Sequence, residues 1–114
     1  MKTPRFDDDY LDDILKAINA INAYTKNITY DEFVQSNMCI HAVLLNIAII
    51  GESTGKISQE IRQKYPEIPF SAIVAMRNRL IHGYYEVDTY RVWLVVKDDL
   101  PTLESQIRKI IDEL

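Results

Sequence analysis

With 114 residues and a formal net charge of −4, the chain has room for one domain with a modest core. Its 47% apolar and 26% charged composition is that of an ordinary soluble protein. The acidic balance excludes a protein that coats nucleic acid through general charge neutralisation. The single cysteine, Cys39, excludes an internal disulfide, and with only two separated histidines it excludes a structural zinc site.

No repeat, low-complexity tract or linker divides residues 1–114, so a single domain is expected. No stretch reaches the ~18 consecutive apolar residues of a membrane span. The longest run, Ala42 to Ile50, is broken by Asn46. Met1-Lys2-Thr3-Pro4 leads into acidic residues rather than an apolar signal core, so a cytoplasmic protein without membrane contact is expected.

Helical periodicity runs almost throughout. Leu11, Ile14, Leu15, Ile18, Ile21 and Tyr24 recur at spacings of three and four, predicting a helix over roughly 8–26 that Asp8 or Asp9 caps. Thr29 followed by Glu32 matches a capping box. It predicts a long helix over about 30–50 with Phe33, Met38, Val43, Leu44, Ile47 and Ile50 inward, ending at Gly51. Gly51 to Ile57 resembles a phosphate loop only loosely. It has three residues between its glycines instead of four, and Ile57 follows the lysine, so a helix–helix turn is expected. Ser58 caps a short helix through Tyr65, stopped by Pro66. Pro69 suits the first turn of a helix over about 70–82, and Gly83 its exit. Asp88 caps a helix holding Val92, Trp93, Val95 and Val96, for which a short strand is the rival reading. Pro101 opens a last helix through about 113, with Leu103, Ile107, Ile110 and Ile111 inward. The sum is an all-α bundle of about five or six helices.

Acidic residues cluster at the two ends, in Asp7-Asp8-Asp9, Asp12-Asp13, Asp98-Asp99 and Asp112-Glu113. These read as solvated faces and helix-dipole partners rather than a metal pair. The middle carries Lys56, Arg62, Lys64, Arg77, Arg79 and Arg91, so any nucleic-acid contact is expected to be local.

The stretch Arg77-Asn78-Arg79-Leu80-Ile81-His82-Gly83-Tyr84 sets two arginines, an amide and one of two histidines inside six residues. On a helix, residues four apart lie about 40° apart, so Asn78 and His82 share a face and Arg77 reaches it from the edge. An imidazole in the last helical turn, near unpaired carbonyls, exchanges protons near neutral pH. An arginine stabilises charge developing on a phosphate. Spacing alone is also met by an arginine and a histidine that only cap carbonyls. His41 is expected as a buried or interface histidine, and Cys39 as a core or interface thiol.

The longer string from Met76 to Tyr85 is more specific. It resembles the signature of HEPN domains, in particular the HepT-like branch. Gly51-Glu52-Ser53, Ile68-Pro69-Phe70 and Asp99-Leu100-Pro101 with Leu103 match further, so the resemblance runs from near Phe6 to the C-terminus. Ser53 and Phe70 depart from the usual alanine and tryptophan and leave R-x4-H-x-Y intact.

The resemblance implies an all-α HEPN bundle that forms a homodimer with two motifs converging in a cleft. It implies a metal-independent endoribonuclease toxin of a type VII toxin–antitoxin pair, with transfer RNA among its substrates and no cofactor. Arg77 and His82 would be catalytic, with Asn78 in support. Arg79 and Tyr85 are candidate RNA contacts beside them. Tyr84 would receive AMP from a minimal nucleotidyltransferase antitoxin of the MntA type. The chemistry agrees: cleavage through the ribose 2′-OH needs a proton carrier and a cation, and two copies supply two histidines. AMP on Tyr84 would add bulk and negative charge where a phosphate backbone must enter. Two other readings stay open, a non-catalytic module that binds a nucleotidyltransferase and a helical dimer with only an assembly role.

Overall fold

The computed structural model describes residues 6–82 and 88–114, and residues 81 and 82 by their backbone only. Among the described residues seven α-helices and one π-helical segment follow one another: α1 (Asp7–Thr25), α2 (Tyr30–Gln35), α3 (Asn37–Gly55), α4 (Gln59–Lys64), α5 (Phe70–His82), α6 (Thr89–Leu94), the π segment Val95–Asp99, and α7 (Leu100–Glu113). No strand occurs among the described residues, so Val92–Val96 is helical despite its β propensity. The expected all-α bundle is the fold.

α1 starts one residue before its expected caps. Phe6 is the N-cap, and the Asp9 carboxylate accepts its backbone N–H at 3.0 Å. Asp7, Asp8 and Asp9 all sit in the first turn, where the helix dipole favours them. Asp7 also accepts from the Ser58 backbone N–H at 2.8 Å and from its hydroxyl at 2.6 Å, tying the start of α1 to the start of α4. The chain leaves α1 through Asn27, whose φ of 63° asparagine tolerates better than most residues.

The capping box at Thr29 forms as predicted. Its hydroxyl accepts from Glu32 N–H at 3.1 Å and Glu32 accepts from Thr29 N–H at 2.9 Å. The long helix expected over 30–50 is instead two. Ser36 breaks it with extended backbone, and its hydroxyl accepts the Cys39 N–H at 3.1 Å to open α3. Met38 points outward, 83% exposed, where an inward residue was expected. Gly51 does not end α3, which runs through it to Gly55; the turn is shorter and later than expected. Arg62 closes this end, donating from Nη2 to Thr54 O at 2.9 Å and from Nε to Ile57 O at 3.1 Å.

α6, the π segment and α7 form one continuous helical run, where two separate helices were expected. Asp88 caps α6 as predicted, accepting from Arg91 N–H at 3.1 Å. Pro101 supplies no N–H to the carbonyl four residues back and crowds it, and the wider π turn lies immediately before it.

α3 lies at the centre, between α1 and α5, and α7 covers the other side of α1. Leu11, Ile14, Ile18 and Ile21 of α1 meet Val43, Ile47 and Ile50 of α3 and Ile107 and Ile110 of α7, all at most 1% exposed. Truncating any of the leucines or isoleucines to alanine would cost about 2–5 kcal/mol. Trp93 lies 5.1 Å from Phe33 and 5.9 Å from Tyr30, ring centre to ring centre, joining α6 to α2.

The buried Tyr65 hydroxyl donates to Glu113 and so fastens the end of α4 to the end of α7. That hydrogen bond, with burial and the charges of Glu113 and Glu67, pushes the phenol up from about 10 to about 12. A folded-state pKa above the unfolded one gives stability that is whole below the unfolded value and lost as pH rises through the folded value. The melting-temperature advantage of wild type over Tyr65→Phe is therefore expected to hold steady up to about pH 10 and to shrink between about pH 10 and 12. Melts of both proteins by circular dichroism across that range check it.

Candidate active site

α5 presents different residues on its two flanks. One face packs on α3, and at Gly51 the contact leaves no room for a side chain. A Cβ built there would lie 2.3 Å from both Cβ and Cγ of Arg77 and 3.0 Å from its Cδ, so the arginine stem lies directly on the α3 backbone. At Gly55 the neighbour is Val74, 3.8 Å from a built Cβ. These two pairings run in opposite senses along the helices, so α5 is antiparallel to α3 and its C-terminal end passes the middle of α3.

Arg77 Nε is shielded from solvent and has no hydrogen-bond partner among the described residues. Its Nη1 donates to Asn78 Oδ1 at 2.8 Å. The guanidinium is therefore gripped along its stem by packing and at one tip by the neighbouring amide. Asn78 itself is exposed. α5 stays helical through His82, which places the His82 backbone one turn beyond Asn78 on the same side. The His82 side chain, and Tyr84 and Tyr85 entirely, lie outside the described residues. The structure thus brings Arg77 and Asn78 together and leaves the rest of R-x4-H-x-Y to the sequence.

Arg79 faces elsewhere. With Met76 and Leu80 it lines a groove of about 950 Å³ between α5 and the α6–π–α7 run, on the flank of α5 away from Asn78. Glu67, Asp98 and Asp99 share that groove, so its rim disfavours a phosphate backbone. As a candidate RNA contact, Arg79 stands apart from Arg77 and among carboxylates.

Sequence reasoning missed Gly51 as part of the site by reading it as the end of a helix. Its signal was an isolated glycine inside a helical pattern, which marks close packing as readily as a stop. α3 also carries Met38, Leu45 and Ile49 on one outward line, 83%, 63% and 37% exposed. His41 flanks that line and is exposed, not buried as one of its two expected settings required.

The family model "Ribonuclease HepT-like" matches residues 14–110. A Methanocaldococcus jannaschii protein whose name describes it as an inferred RNase is 39% identical over 105 residues, covering 92% of this chain and 87% of the relative. A probable ribonuclease HepT of Thermococcus cleftensis is 36% identical over 102 residues, covering 90% of this chain and 93% of its own. A second M. jannaschii protein, whose name joins a gamma-glutamylcyclotransferase to an inferred RNase, is 43% identical over 105 residues, which are 92% of this chain and 47% of the longer relative. No solved structure matches the chain significantly.

Cys39 lies near the start of α3, half-buried, with its thiol directed at Tyr24 O at 3.7 Å. Burial pushes the thiol up from its ordinary value. Less thiolate at neutral pH means slow alkylation. Iodoacetamide at pH 7.5 is expected to modify native Cys39 more slowly than a short cysteine peptide. Denaturant should remove the difference, as mass spectrometry over time can follow.

Proposed function

Because the chain belongs to the HepT-like ribonuclease family, we propose that it is a metal-independent endoribonuclease toxin acting in the cytoplasm as a homodimer. The observation that carries this reading is the Arg77–Asn78 pair, fixed at 2.8 Å on the exposed flank of the helix that ends in His82. An arginine held this way has its position set before substrate arrives, which is how charge stabilisation becomes catalytic.

The reaction proceeds by attack of a ribose 2′-OH on the adjacent phosphate. The O2′–P bond forms as the P–O5′ bond breaks, giving a 2′,3′-cyclic phosphate and a 5′-hydroxyl. His82 of one protomer takes the 2′-OH proton, and its counterpart in the second copy returns one to the leaving 5′ oxygen. Arg77 stabilises the charge gathered on the phosphate oxygens, and Asn78 keeps the guanidinium turned toward it. The outward line of Met38, Leu45 and Ile49 on α3 supports dimerisation, because three large apolar side chains aligned on one exposed face gain from a partner surface. Transfer RNA is the proposed substrate. An MntA-like nucleotidyltransferase is the proposed antitoxin, adding AMP to Tyr84 and so placing negative charge at the cleft.

The second reading, a binding module without catalysis, draws on the net charge of −4. The two part on toxicity. A toxin arrests growth when expressed without its partner; a module leaves growth untouched and still binds the nucleotidyltransferase.

Cleavage of transfer RNA by the purified protein is expected to persist in excess EDTA. His82→Ala should lower kcat by about 10²–10⁴ and Arg77→Ala by about 10²–10³, both keeping the wild-type helical circular-dichroism spectrum. Equal cleavage by wild type and His82→Ala would refute the catalytic assignment. Leu45→Asp is expected to shift the species seen by light scattering from dimer to monomer and to abolish cleavage without loss of helicity. A Leu45→Asp protein that keeps the wild-type mass would remove α3 from the interface.

A further inference from the structure

We propose that Gly51 is a positioning residue for Arg77: the side chain it lacks is the slot in α3 on which the arginine stem lies. The contact is read from geometry alone. Its catalytic consequence rests on the ribonuclease reading above.

Gly51 is not there for backbone freedom. It lies inside α3, and no described glycine has a positive φ, so the backbone at 51 would accept any L residue. Glycine is also a poorer helix former than alanine. What excludes alanine is space. The built Cβ meets Arg77 Cβ and Cγ at 2.3 Å, and Cβ is fixed to its own backbone, so it cannot swing aside as a side-chain tip would. Ordinary carbon contacts begin at about 3.5 Å, so α5 would have to move by about 1 Å or the arginine change rotamer.

Arg77 has few other restraints. Among the described residues its Nε has no partner and only Nη1 is held, by Asn78. Packing against Gly51 is therefore what sets the direction in which the stem leaves α5. A shift of about 1 Å at a catalytic group costs about 10²-fold in rate. Gly55, one turn further along α3, provides an internal control: a Cβ there meets Val74 only at 3.8 Å, ordinary contact.

The experiment compares RNA cleavage and thermal melts of wild type, Gly51→Ala, Gly55→Ala, Arg77→Gly and the Gly51→Ala/Arg77→Gly double variant. Gly55→Ala is expected to match wild type in kcat and to melt no lower. Gly51→Ala should lose about 10²-fold in kcat while KM stays within about threefold, a split that mere loss of substrate binding does not give. In the Arg77→Gly background the stem is gone, so Gly51→Ala should no longer lower the melting temperature. This comparison stands even if Gly51→Ala alone fails to fold. Wild-type kcat in Gly51→Ala overturns the inference, and so does an equal melting loss with and without the Arg77 side chain. Absence of cleavage by wild type would overturn the ribonuclease reading instead, and the melting comparison would still decide whether Gly51 holds Arg77.

Discussion

The structure depends on α3 being covered on two sides at once. α1 packs along one side through Leu11, Ile14, Ile18 and Ile21, and α5 along another, where Gly51 admits the Arg77 stem. Helix axes usually stay 8–10 Å apart because side chains fill the gap, and a glycine at the crossing removes that filling. The arrangement has two local costs. Glycine inside a helix costs about 1 kcal/mol relative to alanine, and shielding the Arg77 Nε, which has no partner among the described residues, is unfavourable as well. Fully buried Val43, Ile47 and Ile50 on the same helix each contribute about 1.5–3 kcal/mol, so the core offsets both. The core keeps α5 against α3 strongly enough to hold an arginine in a place it would not choose by itself.

The parts of the fold that could be read in advance are those decided by local chemistry. Thr29, Ser58 and Asp88 each cap a helix where a helix start was expected, because a short oxygen side chain answers backbone N–H groups two or three residues away whatever the tertiary setting. Where a nonlocal contact competes, local reading fails. Gly51 carries a stop signal that α3 ignores, since the helix there is held by α5. Ser36 breaks a pattern that looks continuous, because its cap lacks the acidic residue that marks Thr29. Met38 was misplaced for a plainer reason. It stands nine residues before the buried Ile47, which at about 100° per residue is half a turn away. The π segment before Pro101 was legible only as a proline near a helix start, and a proline signals a start as readily as a widened turn in a helix that continues.

The candidate site divides the same way. Arg77, Asn78 and His82 share one short stretch, so their grouping on a helix follows from spacing, and the Arg77–Asn78 bond is between neighbours. Gly51 enters through a crossing of two helices, which spacing cannot display. Arg79 shows the converse. Two residues from Arg77 on the chain, it is about 200° around the helix and ends among Glu67, Asp98 and Asp99. Sequence proximity grouped two arginines that the helix separates, and only one of them lies on the flank with Asn78.

That separation also bears on how an acidic chain can act on RNA. General attraction through net charge is unavailable at −4, so affinity has to come from a few oriented contacts. Orientation is what the α3–α5 crossing supplies: one guanidinium with its stem packed and one tip braced, on the flank of α5 away from the acidic groove. A second copy related by a two-fold axis through the outward line of α3 would double that cation and the motif's histidine without adding basic residues elsewhere. Under this arrangement the acidic surfaces are not an obstacle to the proposed chemistry. In the proposed reading, the carboxylates of the groove would turn a phosphate backbone away from that flank of α5 and leave the flank that carries Arg77 and Asn78 open to it.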